Sequence, residues 1–257
     1  MTTAVLTERQ GAILVVTINR PEVRNAINPD VTQGIDAALT QAEQDDTIGA
    51  VILTGAGDKA FSSGMDLKHA AQHGPVGLIS KDHGFAGITR RNFPKPLIAA
   101  VNGAALAGGL EVALACDLIV AAEHAVFGLP EVKRGLIAAA GGLLRLGRQL
   151  SRSAALEIAM TGNPIDAQRA YALGLINRVV PAEQLMSTAI ALAEAILANG
   201  PLAVRLSKQL IDEVPDLTMA QAWERNAEYS QIIAHSEDMR EGVRAFAEKR
   251  KPAWKGR

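Results

Sequence analysis

The first half of the chain alternates between short, almost wholly apolar runs and longer stretches with polar breaks. Ala12 to Ile18 reads AILVVTI, β-branched and apolar on both phases of a two-residue repeat. That pattern suits a strand buried on both faces. Asn19-Arg20-Pro21 closes it, and Asn28-Pro29-Asp30 opens a helix through the Gln33–Glu43 region. AVILTG (Ala50 to Gly55), PLIAAVNG (Pro96 to Gly103) and DLIVAA (Asp117 to Ala122) repeat the buried-strand pattern. Strands alternating with helices argue for an α/β core with crossover connections.

Beyond residue 140 the pattern turns helical. Leu185, Ala189, Leu192, Ala193 and Ile196 recur at helical spacing, and Met239, Val243 and Phe246 form a narrower stripe in the charged terminus EDMREGVRAFAEKRK. A helix of that kind needs its own core or a neighbouring subunit to pack on. Between the two halves of the pattern, His69 to Asn92 is the least regular stretch. It carries His69, His73 and His83 at spacings that match no compact metal motif, so it reads as a solvated, flexible loop.

Composition narrows the class. With 257 residues, 48% of them hydrophobic, the chain can bury one substantial core. A formal net charge of −1 supplies no global field for nucleic acid or an anionic membrane. One cysteine, Cys116, excludes an intrachain disulfide framework and any multi-cysteine metal site, and its apolar neighbours make it a small core residue. The stretch MTTAVLTERQGAILVVTINRP lacks a basic region followed by a signal-type apolar core, and no apolar run has the length of a bilayer span. The expectation is a cytoplasmic protein without membrane or nucleic-acid partners.

Candidate chemistry gathers in three clusters: KAFSSGMDLK (Lys59 to Lys68), NGAALAGGLEVALACD (Asn102 to Asp117) and VFGLPEVKRG (Val126 to Gly135). Gly108 and Gly109 at a strand-to-helix junction allow close approach and leave peptide N–H groups unpaired, as an oxyanion hole requires. Glu111 follows three residues after Gly108, about one turn away, so its carboxylate can face the same volume. Either Glu111 or Glu131 alone could simply serve a helix dipole. AGGLE lacks the G-x-G-x-x-G spacing of a dinucleotide fold, and DKAFSSG is not a phosphate-binding P-loop.

Taken together, these clusters resemble the crotonase (enoyl-CoA hydratase/isomerase) superfamily over nearly the whole chain. RPEVRNAIN is similar to its early R-P-x-x-x-N-A segment, and KAFSSGMDLK to its A-F-x-x-G-x-D-[IL]-K motif. KPLIAAVNGAALAGGLEVALACD is similar to its K-P-x-I-A-A-V-x-G-x-A-x-G-G-G-x-E-L-x-x-x-C-D signature, and AFAEKRK to its terminal F-x-E-K-R helix. The resemblance implies an α/β fold, a crotonase ββα-spiral core over residues 1–195, and a C-terminal helical trimerisation region over 196–257. It implies an enoyl-CoA hydratase that adds water reversibly to a 2-enoyl-CoA. Glu111 and Glu131 would hold and activate water, and the N–H groups of Met65 and Gly108 would form the oxyanion hole. Arg24, Ala26, Ser62, Met65, Asp66, Leu67, Lys68 and Gly108 would line the acyl-CoA, with Phe246 and Lys249 reaching a neighbouring subunit's CoA. No cofactor or metal is implied, and the expected assembly is a homotrimer or a dimer of trimers. AAAGGLLRL (Ala138 to Leu146) departs from the family's P-G-A-G-G-T-Q-R-L, which implies a reshaped acyl pocket, and Ala107 stands for the first glycine of G-G-G. The segments EVKRGLIAAAGGLLRL and EDMREGVRAFAEKRKPAWKGR resemble the crotonobetainyl-CoA hydratase branch most. Carnitinyl-CoA dehydration, double-bond isomerisation and non-catalytic acyl-CoA binding are the alternatives.

Overall fold

The four apolar runs form the centre of a six-stranded sheet in the computed structural model, which describes residues 3–257. In chain order the strands are β1 (Val5–Gln10), β2 (Ile13–Ile18), β3 (Ala50–Gly55), β4 (Ala60–Ser62), β5 (Ile79–Ser80) and β6 (Gly84–Phe85). They continue as β7 (Leu97–Val101), β8 (Ala104–Leu106), β9 (Leu118–Ala122), β10 (Val126–Gly128), β11 (Ile165–Asp166) and β12 (Arg178–Val180). The helices of the first half are α1 (Pro29–Gln44), α2 (Leu67–His73), α3 (Gly108–Leu114), α4 (Gly142–Gln149) and α5 (Arg152–Thr161). Those that follow are α6 (Ala167–Ala172), α7 (Leu185–Leu197), α8 (Pro201–Glu213), α9 (Met219–His235) and α10 (Glu237–Ala247).

The large sheet runs β1-β2-β3-β7-β9-β12, parallel except for the β1–β2 hairpin, and a second sheet runs β11-β10-β8-β4. Each pair β3–β4, β7–β8 and β9–β10 places one strand in each sheet before the chain turns into a helical segment. The result is a ββα spiral, an α/β arrangement of the expected class. Apolar residues on both faces of the central strands have a direct cause. Leu14, Val16, Val51 and Leu53 point into the main core, whereas Ile13, Val15, Ala50, Ile52 and Ile98 pack against Leu185, Ala189 and Ala193 of α7.

Several expectations change. β1 (VLTERQ) is an edge strand with mostly exposed side chains, so it lacks the apolar signal of its partner β2. The region after residue 140 is not purely helical, because β11 and β12 extend the two sheets. The reading of His69–Asn92 as a solvated, flexible loop is wrong. Most of α2 and the whole β5–β6 hairpin lie within it, and Leu78, Phe85, Ala86 and Ile88 are buried. What pins it is polar: the Arg91 side chain, 2% exposed, pairs with Asp36 and Glu43 of α1 and donates to Thr40, while His83 Nδ1 lies 2.7 Å from Asp36 Oδ1. Met239, Val243 and Phe246 do not pack on the chain's own core. The buried face of α10 is Asp238, Glu241 and Ala245, and the apolar stripe is exposed. Cys116 is buried as a core residue, and burial pushes its thiol pKa up.

Candidate active site

β10, β8 and β4 are adjacent and parallel, so their carboxyl ends lie side by side. The chain leaves β4 for Gly64 and Met65, β8 for Ala107 and Gly108, and β10 for Pro130 and Glu131. Carboxyl ends of parallel strands are where open α/β sheets place ligands. The three sequence clusters therefore converge through the second sheet, whose short strands carry little hydrophobic signal.

The first cluster is held by a polar hub. Asn25, buried with φ +54°, donates from Nδ2 to the carbonyls of Ala60 at 2.7 Å and Ala56 at 3.0 Å, and its Oδ1 accepts from Arg20 N–H. Ser62 Oγ donates to the Asn25 carbonyl and accepts from Gly64 N–H. Ile27 then bridges Met65 in parallel fashion: Ile27 N–H donates to the Gly64 carbonyl at 2.8 Å, and Asp66 N–H to the Ile27 carbonyl at 2.9 Å. In such a bridge the peptide groups of Met65 itself point the other way. Met65 N–H finds no acceptor among the described residues.

Gly108 opens α3, so its N–H is one of the helix's unpaired donors, and it too has no acceptor among the described residues. The two segments approach closely. A Cβ on Gly64 (φ +86°) would lie 2.8 Å from Gly108 N, and one on Gly108 would lie 2.6 Å from Phe85 Cε1. Ala107 precedes the helix at φ 52°, ψ −130°, a backbone region costly for a residue with a side chain. Observed strain at this junction is a mark of a functional turn.

Glu111, 4% exposed, lies in the first turn of α3. Its Oε1 accepts from Ala140 N–H at 2.7 Å and Gly142 N–H at 2.8 Å. A Cβ on Gly142 would sit 2.9 Å from Glu111 Cγ, so glycine there makes room for the carboxylate. Burial raises the Glu111 pKa above the ordinary glutamate value, against the two N–H donors and the Arg145 charge, which lower it. Glu131, on the short helical turn Pro130–Arg134, is half-buried, and its Oε2 has no hydrogen-bond partner among the described residues. Burial raises its pKa as well; its own backbone N–H and the Arg134 charge work to lower it, and the negative charge of Glu111 raises it further. The two carboxyls therefore leave adjacent strand ends, and the charge of Glu111 acts on Glu131.

The other expected ligand residues are only partly assembled. Ala26 and Ser62 are buried, and Arg24 is exposed beside them, accepting at its carbonyl from Ser63 N–H. Asp66 caps α2 and pairs with Arg20 at 3.0 Å; burial works to raise its pKa, but His69 N–H and Arg20 hold it below the usual value. Leu67 and Lys68 are exposed on α2. Phe246 lies in the last turn of α10 and Lys249 in the turn that follows it, and Phe246 is 88% exposed, so the single chain does not seat it on this strip. Sequence reasoning missed Arg20, Phe85, Thr89 and Arg145. Arg20 and Asn25 were present in RPEVRNAIN, but nothing local marks Phe85 or Thr89. Among the described residues no group of three or more His, Cys, Asp and Glu is placed to hold a metal. No single helix among them is long and apolar enough to cross a membrane.

A family model described as enoyl-CoA hydratase/isomerase matches residues 8–257. A probable mitochondrial enoyl-CoA hydratase of Dictyostelium discoideum is 38% identical over 250 residues, covering 96% of this chain and 89% of that one. A carnitinyl-CoA dehydratase of Salmonella agona (strain SL483) is 40% identical over 254 residues, covering 97% of each. The crystal structure of an enoyl-CoA hydratase from Mycobacterium tuberculosis H37Rv superposes with a TM-score of 0.96 at 44% identity, covering all of both chains.

Proposed function

Because the chain belongs to the enoyl-CoA hydratase/isomerase family, we propose that Glu111 and Glu131 perform its hydro-lyase chemistry, the reversible addition of water to a 2-enoyl-CoA. The substrate is an acyl-CoA thioester. The observation that carries the assignment is the pairing of two carboxyls, both with raised pKa, with two unclaimed N–H donors at adjacent strand ends.

The thioester carbonyl accepts from Met65 N–H and Gly108 N–H. As water attacks Cβ, negative charge builds on that oxygen, and donors fixed by the Ile27–Met65 bridge and by α3 stabilise it without reorganising. Glu111, already accepting two N–H bonds, is the carboxyl better held as an anion, so it takes the proton from water. Glu131 Oε2, with no donor and a like charge nearby, is the better place for a proton, which it delivers to Cα. One O–H bond and the C=C π bond break, and C–O and C–H bonds form. Exchange of a proton between the two carboxyls restores the starting state. The step balances with water and two side chains, so this reading calls on no cofactor.

The remaining parts of the reading are Arg24, Ala26, Ser62 and the Met65–Lys68 strip along the CoA, and a homotrimer or dimer of trimers built by residues 196–257. The exposed stripe Met239, Val243 and Phe246, which has no use in a single chain, supports that assembly and the reach of Phe246 and Lys249 to a neighbour's CoA. The division after residue 195 falls in the last turn of α7, which packs on the large sheet. A cytoplasmic location belongs to the same reading, and cell fractionation tests it.

A second reading, carnitinyl-CoA dehydration, is favoured by likeness to the Salmonella protein. The head group of that substrate is a quaternary ammonium, which aromatic faces recognise. Of the aromatic side chains, Phe85 lies against Gly108, whereas Trp223, Trp254 and Tyr229 belong to the C-terminal helical region and Tyr171 to α6. The uncharged enoyl substrate fits better. Incubation with crotonyl-CoA followed by mass analysis decides: hydration adds one water, isomerisation adds nothing, and turnover confined to crotonobetainyl-CoA would favour the second reading.

A further inference from the structure

The turn that donates to Glu111 is itself held by a cation that the proposed steps do not use. Arg145 sits in the first turn of α4 and is half-buried. Nη2 donates to the Thr89 carbonyl at 2.7 Å, across to the segment that also lays Phe85 against Gly108. Nη1 folds back over Gly141, filling the space where a Cβ would stand. Gly141, at φ +102°, lies between Ala140 and Gly142, whose N–H groups hold Glu111 Oε1. One side chain thus joins the Glu111 turn to the wall over the oxyanion donors.

We propose that Arg145 is a positioning residue for the hydration, fixing the Ala140–Gly142 turn against Thr89 and placing a positive charge beside the turn that holds Glu111. The inference rests on Glu111 being the base. Its geometric part is the bond to Thr89 and the packing on Gly141. Its electrostatic part follows from the groups around it. Arg145 faces Glu111 of α3, Cys116 and Arg148, and Asp212 of α8, while Glu111 faces Glu131 in turn. Cys116 is buried and neutral. Burial works to lower the pKa of the Arg145 guanidinium, but a guanidinium stays charged, so a cation faces the Glu111 carboxylate in a poorly hydrated place. A structural role alone would move stability; this role also moves the Glu111 titration.

The experiment compares wild type, Arg145→Gln and Arg145→Lys. Glutamine keeps an N–H donor for Thr89 and removes the charge; lysine keeps the charge. Carbon-13 carboxyl titration, with Glu111 assigned through an Glu111→Gln variant, reads the site without reference to turnover. Glu111 is expected to titrate at higher pH in Arg145→Gln, with the limb of kcat/KM that it governs moving the same way, and to return towards wild type in Arg145→Lys. kcat is expected to fall about tenfold in Arg145→Gln, with KM within about threefold of wild type. Unchanged Glu111 titration in Arg145→Gln overturns the proposal, whatever the activity. A shifted titration in a protein that hydrates no enoyl-CoA would instead overturn the functional reading and leave this one standing. If Arg145→Gln does not fold, Arg145→Lys decides: a Glu111 midpoint displaced upward despite a retained charge refutes the electrostatic role, and an unmoved midpoint upholds it.

Discussion

Gly64→Ala probes the construction of the site more sharply than removal of either acid. The added Cβ would meet Gly108 N at 2.8 Å, the Ala107 Cβ at 3.1 Å and the Leu106 carbonyl at 3.1 Å. The first of these falls about 0.6 Å short of ordinary contact, and the obstacle is backbone at the start of α3, which cannot swing aside. Gly64 also sits at φ +86°, which costs a residue with a side chain about 1–2 kcal/mol. The segment must therefore move away from Gly108, or α3 must move away from it. Either movement changes the spacing of the Met65 and Gly108 donors, which must reach one oxygen. Losing one such donor lowers kcat by about 10²–10³, equivalent to roughly 2.7–4 kcal/mol of transition-state stabilisation. A chain of this size loses about 2–4 °C of Tm per kcal/mol, so the melting temperature should drop by only a few degrees. Circular dichroism melts and steady-state hydration of crotonyl-CoA measure the two effects. A folded Gly64→Ala variant with kcat within about threefold of wild type would refute the claim that this approach sets the oxyanion hole.

Other substitutions give separate expectations. Ala107→Gly relieves a side chain held at φ 52°, ψ −130° and should raise stability by about 1 kcal/mol in a denaturation experiment, with kcat little changed. Glu131→Gln should raise Tm while lowering kcat by about 10²–10⁴. Its folded pKa lies above the unfolded value, so the native state holds the proton longer; stability falls as pH rises through that interval and stays reduced above it. The Tm gain from glutamine should therefore be larger at pH 8 than at pH 4, and an equal gain at both would count against the raised pKa. Replacing Met239, Val243 and Phe246 by serine leaves the folded chain intact but should reduce the assembled mass seen by analytical ultracentrifugation.

The central strands were legible because burial on both faces writes an unbroken apolar run into β2, β3, β7 and β9. The three chemical clusters were legible through their motifs, since close approach demands glycine at 64 and 108 whatever surrounds them. What brings them together was not. β4, β8 and β10 have three residues each, too few to show a period, and their pairing is entirely non-local. The stretch between α2 and β7 misled for a different reason. Its order comes from Arg91, Asp36, Glu43 and His83 meeting across more than forty positions, and charge in sequence reads as solvation. The terminal helix inverted the usual pattern. Asp238 accepts from the N–H groups of Lys255 and Gly256, and Glu241 from Ala253 N–H and Arg250, so acids face inward and the apolar stripe faces out. The grip on Glu111 came from main-chain donors of Ala140 and Gly142, which no side-chain motif announces.

Hydration of crotonyl-CoA by Glu111→Gln, Glu131→Gln and the double variant tests the two-carboxyl mechanism most directly. Each single variant should lose about 10²–10⁴ in kcat, and the double variant little more than the worse of the two, since the pair works as a unit. Full turnover by either single variant would contradict the mechanism, and losses that simply multiply in the double variant would show that the two acids act independently.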